Sequence, residues 1–171
     1  MRAIVNPFIQ ICLLRQGPQD LPASGILLAI ALIAHTVMSI VWSKVTLNAV
    51  SALLSGLLDT GLLVVLTGAL LYAQRRSARV IQTLTALAGT GTIITFLALP
   101  VSGWLRGADQ SAGEGGFAVF LLLILMGWSL AVVAHIFRHA LSIPYFFGLV
   151  LAAVFYGISI SAFRALFPAV A

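Results

Sequence analysis

Ionisable side chains are scarce in this chain, so the few that fall inside apolar runs carry whatever chemistry it can do. Asp59 is the only acid within such a run. A charge held in a hydrocarbon core costs about 2.5 to 3.5 kcal/mol even on the lenient insertion scale. Asn48, Ser51, Ser55 and Asp59 follow one another at i, i+3, i+7 and i+11, which is one face of a helix. On the segment before it, His35, Ser39 and Ser43 recur every four residues. Two arrangements use these stripes. One is a protonatable Asp59–His35 pair at the bottom of a half-channel, as intramembrane proton relays require. The other is a polar seam joining two helices, each hydrogen bond contributing about 0.6 kcal/mol. The seam is the simpler expectation, because no second buried acid extends a relay. A rise of about 1.5 Å per residue puts Asp59 about 15 Å, and His35 about 10 Å, from the outer ends of their segments, so pairing calls for a modest helix shift.

His135 and His139 stand at i and i+4, a spacing that can place two imidazoles on one metal. Two ligands do not make a site, and no further His, Cys or carboxylate motif completes one. A haem would need an opposing axial ligand. Interfacial histidines reaching for water beside Arg138 are the plainer account. Ala88-Gly89-Thr90-Gly91-Thr92 lacks the lysine of a phosphate loop, and Gly127-Trp128-Ser129 has no histidine placed to activate the serine. No catalytic residue, cofactor or metal is expected.

These residues must be positioned by elements that live in lipid. Of 171 residues 61% are hydrophobic and 8% charged, and the mean hydropathy is +1.15. A water-soluble domain carries about 25% charged residues. The expected fold is an all-α integral membrane bundle. Five runs approach the roughly 20 residues needed to cross about 30 Å of hydrocarbon: Ser24 to Trp42, Ala49 to Tyr72, Val80 to Pro100, Phe117 to Phe137 and Tyr145 to Phe163. Loops between them are short, and the longest, Val101 to Gly116, has the glycines and acids of a flexible, solvated turn. Residues 1–23 read as a cytoplasmic, interfacial segment, with Asn6 to Arg15 lying along the membrane surface, and residues 24–171 as the five-helix domain. The segment lacks a cleavage pattern and is expected to be retained.

With the N-terminus inside, Arg2, Arg15, Arg75, Arg76, Arg79 and Arg138 are cytoplasmic, against Lys44, Arg106 and Arg164 outside. That balance predicts a bacterial inner membrane protein with its C-terminus outside. The basic residues are scattered and not interleaved with aromatics, which excludes a nucleic-acid surface. Cys12 is the single cysteine, so no internal disulfide forms. Ala153, Gly157 and Ser161 form a small-residue stripe, and Ala86, Gly89, Thr90 and Gly91 a similar weak point, both suited to close helix packing. Internal packing is the expected use of each.

An interfacial segment, Asn6 to Arg15, before five spans, the third opening with Arg79-Val80-Ile81-Gln82-Thr83-Leu84, resembles small bacterial multipass proteins of the Yip1-like kind. That resemblance implies a membrane-organising or accessory role and no catalytic residues. The leading expectation is therefore a non-enzymatic accessory or scaffold subunit, in contact with lipid and with other membrane subunits or copies of itself. The alternative is a small transporter, channel or proton-conducting subunit using Asp59 and His35.

Overall fold

In hydrocarbon no water is present to satisfy backbone N–H and C=O groups, so long apolar runs fold as helices that satisfy their own. The computed structural model describes residues 2–108 and 115–167, with side chains from Val5 onward. Among them are six α-helices and no strand. Helix α1 is Arg2–Cys12, α2 Gly25–Ser43, α3 Ala49–Ala73, α4 Val80–Gly107, α5 Gly115–Leu141 and α6 Tyr145–Leu166. Helices α2 to α6 are all long and apolar enough to cross a bilayer. Their outward faces are apolar as well: Ile26 is 76% exposed, Ile33 65% and Phe146 67%. The chain is a multipass membrane protein whose outer surface is built for lipid.

The interior mixes large apolar residues with many small and hydroxylated ones. Helix α4 is the central element, packed by α1, α2 and α5. Its buried surface includes Thr83, Thr85, Ala86, Ala88 and Thr90. The Thr83, Thr85, Thr90 and Thr92 hydroxyls each donate to the carbonyl four residues back, so they are buried without needing a partner on another helix.

One end of the bundle, the arginine end, holds the α3–α4 and α5–α6 turns with Arg75, Arg76, Arg79 and Arg138. Arg79 is a fastener there: its guanidinium donates to the carbonyls of His139 and Ala140, at 2.9 Å each, and to Ser142 Oγ. These carbonyls terminate α5 and have no intrahelical donor. Leu71, Ala140 and Leu141 form an apolar plug at this end. Helices α1, α3 and α5 close alike, with a 6→1 bond from Arg15, Arg76 and Ile143 to Gln10, Leu71 and Arg138. In each the preceding residue, Leu14, Arg75 or Ser142, has positive φ, where glycine is usual.

Three expectations are corrected. Helix α4 does not stop at Pro100 but continues to Gly107. Proline removes one backbone donor, while Ser102 is buried and donates to Leu99 O, and Trp104 packs edge-on against Phe117. A hydroxyl–carbonyl bond spanning the proline and packing against α5 beyond it accompany the continuing helix. The solvated turn expected around Asp109, Gly113 and Glu114 lies outside the described residues. Secondly, the N-terminal segment, expected along the membrane surface and with Val5, Ile9, Leu13 and Leu14 exposed, also packs inward. Phe8, Ile11, Cys12 and Leu21 are buried in the same core as α4 and α5. Trp128 Nε1 donates to Cys12 O at 2.8 Å and Gln82 Nε2 to Leu21 O at 2.7 Å. Gly89 is where Phe8 docks, since a Cβ there would strike its ring. Thirdly, Ala153, Gly157 and Ser161 face outward. The α5–α6 contact is made instead at Gly148 and Ala152.

Gly148 separates the fold's needs from simple helix propensity. A methyl there would sit 2.5 Å from Ala134 O, whereas one at Gly61 meets nothing within 4 Å. Gly148→Ala is expected to destabilise by about 1–3 kcal/mol, and Gly61→Ala to be neutral or stabilising by up to about 1 kcal/mol. Thermal unfolding in detergent micelles measures both.

Candidate functional site

The site begins with a tight α2–α3 hairpin. Leu47 N donates to Ser43 O in the turn, and Asn48 Oδ1 accepts from Ser51 N to cap α3. Gly56 then lets the two backbones approach, because a Cβ there would lie 3.0 Å from Ile40 N and 3.2 Å from Thr36 O. Three rungs follow in antiparallel register. Ser43 Oγ and Ser55 Oγ are 2.8 Å apart, Ser39 Oγ donates to Asp59 Oδ2 at 2.6 Å, and Thr36 Oγ1 and Thr60 Oγ1 are 2.8 Å apart.

His35 Nε2 lies 3.1 Å from the same Asp59 Oδ2. The two side chains meet without any helix shift, because the short hairpin offsets α2 against α3 by the needed fraction of a turn. The approach is off the line of a directed hydrogen bond, and both ring nitrogens lack a hydrogen-bond partner by angle. We therefore treat the contact as a close ionisable pair that can tighten, rather than as a formed bond. The ring rests on α4, where Gly91 is the residue that makes room: a Cβ there would be 3.1 Å from Cε1 and Nδ1.

Asp59 and His35 sit in the wall of a cavity of about 780 Å³ lined by α2 to α6. It extends from Leu87 and Val133, toward the arginine end, to Thr46 and Arg164 at the opposite end. The Asp59 side chain is 47% exposed and that of His35 10%. Since both line the cavity, the exposed part of Asp59 faces it. Across from them Ser129 on α5 and Tyr156 on α6 share a hydrogen bond, also at the wall. The rest of the lining is mainly apolar, with Leu62, Leu122, Leu125 and Phe155 among it. Volume and lining fall in the range of small-molecule sites, which run about 300–1,000 Å³.

Ser39, Ser43 and Ser55 thus join His35 and Asp59 as the stripes suggested, while Asn48 is an exposed cap and Ser51 contributes only its backbone. His135 and His139 stand apart from the cavity. His135 is 7% exposed, not an interfacial residue reaching for water, because its Nε2 lies 3.1 Å from Gln16 O and its ring packs against His139. No cluster of three metal-binding side chains occurs among the described residues. Sequence reasoning missed Thr36 and Thr60, each one residue from a stripe. It also missed Tyr156 and Ser129, whose meeting across two segments has no local signal.

Fold and site together define a multipass α-helical membrane protein with a polar pair in an internal cavity. Comparison with protein-family models, with curated proteins and with solved structures finds no match. The functional reading therefore stands on this geometry.

Cys12 provides a built-in probe control. It is 2% exposed, and burial pushes its thiol up to about 11, so little reactive thiolate forms near neutral pH. A water-soluble cationic methanethiosulfonate should leave the native protein unlabelled and label Ser159→Cys, on the cavity wall, at least about tenfold faster. Mass spectrometry before and after denaturation reads both.

Proposed function

We propose that the protein is a small transporter or proton-conducting unit of a bacterial plasma membrane, in which Asp59 and His35 take up and release a proton within the cavity. The observation that carries this reading is the 3.1 Å approach of His35 Nε2 to Asp59 Oδ2 in the wall of a large cavity. A seam needs only rungs such as Ser43–Ser55 and Thr36–Thr60, whereas Asp59 also presents a carboxylate oxygen to the cavity, and an ionisable group within a membrane helix points to a functional site. The arginine bias supports placing the arginine end in the cytoplasm. The cavity then runs toward the outer face, and the Leu71, Ala140 and Leu141 plug and the docked N-terminal segment pack the inner end.

Purified protein reconstituted in liposomes with an internal pH dye should dissipate an imposed pH gradient, and Asp59→Asn should slow it at least about tenfold while eluting as the wild type does on size exclusion. Unchanged flux in Asp59→Asn would overturn the relay. Collapse of the variant's fold would assign Asp59 to the seam.

A second reading is the accessory or scaffold subunit that a Yip1-like likeness implies. The outward-facing stripe Ala153, Gly157 and Ser161 favours it, since small residues on a lipid-facing helix allow another helix to approach closely. Gentle detergent extraction at native expression should then recover a stoichiometric partner chain, and Gly157→Leu should release it. A lone protein in that experiment counts against the scaffold.

A further inference from the structure

We infer that the cavity's ligand is an organic cation with an apolar body, and that it binds at Asp59 by displacing a proton. The inference deepens the transporter reading and rests on it for the direction of movement, though binding can be measured without transport.

The division of labour between the two carboxylate oxygens is the first ground. Oδ2 is occupied by Ser39 Oγ at 2.6 Å and approached by His35 Nε2 at 3.1 Å. No described residue donates to Oδ1, although the Asp59 side chain is 47% exposed and lines the cavity. Oδ1 is thus an open acceptor in a mostly apolar chamber, where low surrounding polarity strengthens its attraction for positive charge.

The walls restrict what carries that charge. A bare inorganic cation requires a shell of oxygen ligands and gains nothing from Leu62, Leu122, Leu125, Ile94 and Val133. An anion is repelled by Asp59. A neutral apolar molecule would fill the chamber but leave Oδ1 desolvated without a partner, which is costly. An organic cation meets both requirements, and the rings of Phe155 and Tyr156 in the same lining add favourable faces for it. The volume of about 780 Å³ admits a drug-sized molecule.

Proton coupling follows from the same carboxylate. With Oδ2 between Ser39 and His35, a proton held by the Asp59–His35 pair and a cation at Oδ1 compete for one negative charge. One proton leaves as one cation arrives, so the charge in the chamber is unchanged. The charged and titratable groups around Asp59 are few. Helix α2 supplies His35, and α6 supplies Tyr156 and, at the mouth, Arg164, while α4 and α5 offer only neutral groups such as Thr90, Thr95 and Ser129.

Equilibrium dialysis of the detergent-purified protein against tetraphenylphosphonium, with uncharged triphenylphosphine oxide as control, tests the inference. Tetraphenylphosphonium should bind at least about tenfold tighter than the oxide at pH 8.5, weaken as pH falls to 5.5, and release protons into weak buffer on binding. Asp59→Asn should abolish the preference for the cation. Leu125→Trp, which fills the chamber without touching the carboxylate, should weaken both probes. Equal binding of both probes, or cation binding indifferent to pH, overturns the inference, and these wild-type comparisons decide it even if Asp59→Asn fails to fold. Cation binding without proton flux in liposomes would sink the transporter reading and leave the site standing. Proton flux without cation binding would do the opposite.

Discussion

A carboxylate placed in a lipid-embedded helix must be met by other polar groups or by enclosed water, and most of this structure can be traced to how Asp59 is met. The Ser39 hydroxyl and the His35 ring approach one of its oxygens from α2. That demands a close, correctly staggered α2–α3 hairpin, which Gly56 permits by removing a side chain from the contact. It also demands that His35 have somewhere to sit, which Gly91 on α4 provides. The polar contact between α2 and α3 thereby goes with glycine at two places, Gly56 on α3 and Gly91 on α4.

Helix α4 illustrates a second constraint. Between apolar helices in lipid there is little hydrophobic driving force, so association depends on close van der Waals packing. The alanines, glycines and threonines of α4 allow it, and the threonine hydroxyls are silenced by their own helix. The docked α1 uses the same logic. Phe8 fills the space left by Gly89, and the Trp128 indole and the Gln82 amide satisfy carbonyls of an irregular stretch that would otherwise be orphaned. The arginine end is thereby packed by apolar residues, and the cavity runs from there toward the opposite end.

That asymmetry gives the molecule its functional character. A bundle built only to fill a membrane would close around its polar seam at both ends. Here the two outer rungs hold the hairpin, while the middle one, with Asp59, also borders a chamber of about 780 Å³. Rigidity and access coexist in one helix pair.

The residue order by itself determined the lipid environment, the five spans and the facing stripes of α2 and α3, because composition and helical periodicity are local properties of the chain. It located Asp59 and His35 as the residues worth attention and put them on opposing faces. Where α4 ends was less legible, since Pro100 signals a stop that contacts at Ser102 and Trp104 override. The helix closures at Leu14, Arg75 and Ser142 carry no glycine to announce them. Only the tertiary structure decided the rest: the α2–α3 register that brings His35 to Asp59, the outward turn of Ala153, Gly157 and Ser161, the burial of His135 and the N-terminal segment, and the cavity itself. Each depends on how separate helices stack in three dimensions, and a void between five of them leaves no mark on any one.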